Sequence, residues 1–104
     1  MTKRRVVVTG LGCISPVGND VESTWDNIKA GVSGVGEITY FDTSDFGTKI
    51  AAEVKDFDAT AYIDKKETKK MDRFIQLGIA AGIQALDDCG LTIDDSLVLE
   101  LIEP

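Results

Sequence analysis

Three groups of residues in this chain have types and spacings that could do chemistry. Cys13 and Cys89 are candidate nucleophiles, Gly10-Leu11-Gly12 is a candidate phosphate cradle, and the cations between Lys65 and Arg73 could receive an anionic partner. A thiol nucleophile usually works beside a base, and the sequence contains no histidine. That removes the commonest general base, the commonest metal ligand and the usual activator of a Ser or Cys nucleophile. The two cysteines lack metal-ligand spacing and any secretory context that would favour a disulfide. They are expected to be buried, reduced and structural, and no metal or cofactor is expected.

The cations are unevenly placed. The formal charge is -7, yet Asp64 to Arg73 holds five of the eleven basic residues against three acids, a local +2 beside -9 for the remainder. An acidic chain of this kind is a poor general nucleic-acid binder, because phosphate neutralisation needs an extended positive surface. A small basic patch on an acidic body points instead to an acidic partner. On a helix, Lys66 would share one face with Lys69 and Lys70, three and four residues on, and Lys65 and Arg73 could extend the patch.

The glycine pair follows Val6-Val7-Val8-Thr9, a run that predicts a strand buried on both faces, and so an α/β architecture. A strand followed by Gly-x-Gly invites a dinucleotide-binding reading. The third fingerprint position is Ser15, however, and Pro16 to Asn19 delays the next helix. No second strand ending in an acid follows about 20 residues later. The alternative is a turn in which glycine lets two backbones approach closely.

The elements that must position these groups can be read in outline. Ser15-Pro16-Val17-Gly18 predicts a turn. Asn19 can cap a helix, with Glu22 completing a capping box and Val21, Trp25 and Ile28 forming an apolar stripe that ends near Gly31. Gly31 to Gly47 has no sustained period and reads as a surface loop anchored by Tyr40 and Phe41. Ile50 to Val54 reads as a short strand of unknown pairing. Asp64 can cap a second helix, with Glu67 in the capping-box position, running through Met71, Phe74 and Ile75 to Leu86. Leu77 to Leu86 is almost wholly apolar or small, as in a helix buried on several sides. Gly78, Ala80, Ala81, Gly82 and Ala85 would admit close neighbours, and Gly90 is placed to cap the helix end. One small domain fits 104 residues. No stretch approaches the roughly 18 apolar residues of a membrane span, so no membrane partner is expected and the cytoplasm is the expected compartment.

Lys65-Lys66-Glu67-Thr68-Lys69-Lys70-Met71-Asp72-Arg73-Phe74, taken with the opening Arg4 to Asn19, resembles the start of the bacterial β-ketoacyl-acyl carrier protein synthase II family. The likeness runs from about Lys3 to Leu91 and includes Val21-Glu22-Ser23-Thr24-Trp25, Phe41-Asp42-Thr43-Ser44 and Val54-Lys55-Asp56-Phe57. It implies a partial thiolase-like α/β fold, the N-terminal portion of the first of two similar halves, in an enzyme that is usually a homodimer. Residues 1-104 then read as an N-terminal fragment, about the first quarter of such an enzyme, with 92-104 a tail that departs from the family pattern.

The family's reaction is a decarboxylative condensation of an acyl thioester with malonyl-acyl carrier protein, in fatty acid elongation. The resemblance implies that its nucleophilic cysteine lies beyond the matching region and that its two histidines are missing here. Cys13 and Cys89 therefore do not inherit that role, and the chain alone is expected to be inactive. It also implies that Lys66, Lys69 and Lys70 match basic positions that help dock the acyl carrier protein. Three readings compete: part of a condensing enzyme, a non-catalytic carrier-binding module, and a small dinucleotide-binding α/β protein.

Overall fold

The computed structural model describes residues 3-92. The tail read as divergent lies outside the described residues, apart from its first residue. The described elements run α1 (Val21–Lys29), β1 (Val35–Glu37), β2 (Ile50–Ala52), a 3₁₀ turn (Ala59–Ala61), α2 (Lys65–Thr68) and α3 (Arg73–Cys89).

Among the described residues the predicted first strand finds no pairing partner. Val6, Val7 and Val8 are 93%, 68% and 78% exposed, and no segment among the described residues pairs with them. A β-branched run carries strand preference, but a strand exists only as one side of a pairing, and its burial needs covering layers. After it, Ser15 and Gly18 close the predicted turn through paired backbone hydrogen bonds of 2.8 and 3.3 Å.

Helix α1 starts one residue later than read. Asp20 is the cap, its carboxylate accepting from the Ser23 amide at 2.7 Å, and no capping box through Asn19 and Glu22 forms. Asn19 instead donates its side-chain amide to the Lys55 carbonyl at 2.9 Å. Both residues are good cap formers, and the long-range bond taken by Asn19 leaves the cap to Asp20. Trp25 and Ile28 of the apolar stripe stay exposed, and the residue α1 buries is Thr24.

The glycine-rich loop contains β1, which pairs antiparallel with β2 in the register Val35↔Ala52, Gly36↔Ala51 and Glu37↔Ile50. This supplies the partner of the predicted second strand, which is shorter than read. Tyr40 and Phe41 remain more than half exposed. Phe41 meets Phe46 edge to face at 5.4 Å.

The helix read from Asp64 to Leu86 is two helices. Lys65 with Lys69 and Lys66 with Lys70 are like charges four apart, which disfavour a helix carried through them. Thr68 closes α2 by donating its hydroxyl to the Lys65 carbonyl at 2.6 Å. Gly90 then ends α3 with φ +69°, as expected of a left-handed cap.

Helix α3 is not buried on several sides. Phe74 is 72% exposed and Leu86 48%, while Ala80 is fully covered. The glycine turn lies against the Ala81, Ala85 and Cys89 positions of α3. A Cβ on Gly12 would overlap the Ala81 carbonyl and reach 2.8 Å from the Ala85 nitrogen, and one on Gly10 would reach 2.8 Å from the Cys89 nitrogen. Both glycines are needed because backbone lies on backbone. Ala81 and Ala85 serve this contact, whereas Gly78 and Gly82 face open space.

Candidate functional site

The lysines sit on a turn rather than on a continuous helix face. Helix α2 is a single turn whose Asp64 cap makes no side-chain hydrogen bond. The Glu67 and Thr68 amides donate to the Asp64 carbonyl at 2.9 and 3.1 Å, which shapes the turn. Lys69 keeps helical backbone angles as the C-cap. Lys70 then leaves the helix, its amide donating to the Glu67 carbonyl at 3.0 Å. Lys65, Lys66, Lys69 and Lys70 are all exposed. Lys70 pairs with Glu67 at 3.7 Å, and among the described residues the other three make no ion pair. An exposed pair of that length contributes little, so the turn presents a concentrated positive charge.

Arg73 stands apart from them. Its guanidinium lies 5.3 Å from the Tyr40 ring centre and 5.7 Å from that of Phe57, within the range of cation–π attraction. It lines a cleft of about 460 Å³ with Tyr40, Phe57, Lys55 and the carboxylates Glu37 and Glu53. The sequence reading grouped Arg73 with the lysines by proximity. The rings that hold it come from segments 33 and 16 residues away.

Two residues that the sequence did not single out hold the surroundings together. The Gln84 Oε1 accepts the Cys13 amide at 3.0 Å, while its Nε2 donates to the Asn19 carbonyl at 2.7 Å and the Tyr62 hydroxyl at 3.0 Å. The Lys55 ammonium donates to the carbonyls of Pro16, Gly34 and Glu53 at 3.0, 2.8 and 2.9 Å, satisfying all three of its protons. No spacing rule reveals either, because their partners, mostly backbone atoms, are brought near only by folding.

The glycine turn has little left to offer a phosphate. Its Leu11 amide donates to Asp88 at 3.0 Å and its Cys13 amide to Gln84, and both glycines face α3. The dinucleotide reading therefore fails on geometry. Neither cysteine is fully buried as expected; both are half-buried and free. The Cys13 thiol lies 3.7 Å from the Thr24 hydroxyl, and that of Cys89 lies 3.1 Å from its own helix's Leu86 carbonyl. Hydroxyl and carbonyl contacts supply no base, so nothing here activates a thiol.

Two helix-capping carboxylates are lowered for structural reasons. Asp20 is held below the usual carboxylate range by the Ser23 hydroxyl and then by the Ser23 amide. Asp58 is lowered in the same way by the Thr60 hydroxyl and amide. Both are helix caps, their oxygens committed to the first turns they start.

A glycine turn laid on a small-residue helix, an exposed lysine-bearing turn before that helix, and no activated nucleophile among the described residues together define a framework portion of an α/β protein. Residues 3-98 match the family described as β-ketoacyl synthase, N-terminal domain, and the chain belongs to this family. The fold is accordingly a partial α/β fold of the thiolase-like kind. Over 95 residues the chain is 60% identical to the 3-oxoacyl-[acyl-carrier-protein] synthase 2 of Vibrio harveyi and 58% to that of Vibrio cholerae, covering 91% of this chain and 23% of each relative. The solved ishigamide ketosynthase/chain length factor is 45% identical with a TM-score of 0.82, over 90% of this chain and 23% of that one. The chain thus spans about a quarter of the length of the relatives it matches.

Proposed function

We propose that this chain is the N-terminal portion of a 3-oxoacyl-acyl carrier protein synthase II, contributing framework and a carrier-docking surface but no catalytic side chain. The reaction would be the decarboxylative condensation of an acyl thioester with malonyl-acyl carrier protein, its nucleophile and histidines lying in sequence other than these residues. A homodimer in the cytoplasm belongs to the same reading. Among the described residues no helix is long and apolar enough to cross a membrane.

The observation that carries the docking role is the lysine turn. Four exposed ammonium groups fall within six residues of a chain whose net charge is -7, and only one of them has a carboxylate partner among the described residues. Such a patch acts mainly on encounter and orientation with an acidic surface. The test is charge reversal, Lys69→Glu with Lys70→Glu, in the full-length protein. Carrier affinity is expected to fall about tenfold, with a shallower dependence on salt. Unchanged affinity and salt dependence would refute docking at this turn.

A further inference from the structure

The α2–α3 junction carries the docking turn, yet neither helix start is fixed by its own cap. Asp64 and Asp72 make no side-chain capping bond, and α2 is four residues long, far too short to be stable by itself. Two contacts hold the junction from outside. Gln76 donates its side-chain amide to the Thr68 carbonyl at 3.0 Å, and Arg73, the first residue of α3, places its guanidinium against Tyr40 and Phe57.

Those rings are themselves anchored. The Tyr40 hydroxyl donates to the Val54 carbonyl at 3.2 Å. Phe57 stacks on Tyr62 with ring centres 6.3 Å apart and planes 15° from parallel, and the Tyr62 hydroxyl accepts from Gln84. A continuous set of contacts therefore runs from the glycine turn through Gln84, Tyr62 and Phe57 to Arg73.

We infer that Arg73 is a positioning residue, whose cation, held against the Tyr40 and Phe57 rings, sets the pose of the Lys65–Lys70 turn without itself touching the carrier. This rests on the docking reading given above. The charge around Arg73 supports the assignment: the other charged residues of its cleft are Glu37, Glu53, Asp56 and Lys55, and the ammonium of Lys55 is spent on three carbonyls. An acidic partner would meet carboxylates there, whereas the lysine turn offers it cations.

The experiment compares carrier affinity and amide hydrogen exchange in the full-length protein carrying Arg73→Gln, the uncharged pair Tyr40→Leu with Phe57→Leu, or all three changes. Arg73→Lys keeps the charge with poorer stacking and is a milder variant if the others fold badly. Both Arg73→Gln and the ring pair are expected to weaken the carrier about three- to tenfold and to speed exchange at residues 69-72, with Arg73→Lys between them and wild type. The triple variant is expected to be no weaker than Arg73→Gln, because all three changes break one contact. Loss of affinity in Arg73→Gln without loss in the ring pair would make Arg73 a direct contact and overturn the inference. So would unchanged exchange, or effects that multiply in the triple variant. If Lys69→Glu with Lys70→Glu leaves affinity unchanged, the docking reading itself fails, and this inference with it, whatever the Arg73 variants do.

Discussion

Gln84 of α3 accepts the Cys13 amide at 3.0 Å, across 71 residues of sequence. One planar side chain thereby joins the glycine turn, the Asn19 carbonyl at the start of α1 and the Tyr62 hydroxyl. With few apolar residues fully covered among those described, such polar ties carry much of the tertiary specification.

Gln84→Leu should be costly for that reason. It leaves one amide, one carbonyl and one hydroxyl without their partner in a half-buried setting, and about 2–3 kcal/mol of stability is expected to be lost. Gln84→Met has the same length and no hydrogen-bonding amide, so a similar loss in a denaturant titration would locate the effect in the hydrogen bonds rather than the shape.

Gly12→Ala should destabilise by about 2–3 kcal/mol, because its methyl would meet the α3 backbone at Ala81 and Ala85, which cannot step aside as a side chain can. Gly47→Ala meets nothing within 4 Å and has no left-handed φ, so it is expected to be neutral or slightly stabilising. A melt of both variants beside the parent checks the contrast.

Asp20 should contribute pH-dependent stability. The Ser23 hydroxyl and amide favour its charged form, so its carboxyl titrates below the range it has in the unfolded chain. The contribution is complete above the unfolded value of about 4 and disappears as the pH falls through the lower folded value. Asp20→Ala is expected to cost about 1 kcal/mol at neutral pH. The gap to the parent should narrow as acid is added. Asp20→Asn keeps a capping oxygen and should cost less at pH 7. Parallel unfolding curves for parent and Asp20→Ala across acid pH would contradict this.

The local signals that proved legible were those decided by a few neighbours. Gly90 needs only its own φ, the Ser15–Gly18 turn only its own backbone bonds, and the glycine pair announced a close approach that α3 then supplied. What failed depended on distant partners. Val6 to Val8 predicted a buried strand, yet among the described residues nothing pairs with it or covers it, because burial is a property of what lies on both sides. Asn19 and Asp20 are both cap formers, and the choice fell to a carbonyl at Lys55, 36 residues away. The break between α2 and α3 was written in the like-charged lysine pairs, and the apolar pattern running through it masked that signal. The site was half legible: composition located the lysine cluster, while the rings that hold Arg73 could be assigned only from coordinates.

The 104-residue chain by itself is expected to show no condensing activity, since it has no histidine and neither of its thiols has a base beside it. A reconstituted assay with malonyl and acyl carrier proteins checks this. Thioester-dependent product formed by this polypeptide alone would contradict it.

The most direct measurement is an amide chemical-shift titration of the isotope-labelled protein with acyl carrier protein at low and moderate salt. The account predicts perturbations concentrated at residues 65-70, reduced by salt, with the amides around Cys13 and Cys89 unmoved. No perturbation at those residues under saturating carrier, or shifts centred on either cysteine, would contradict it.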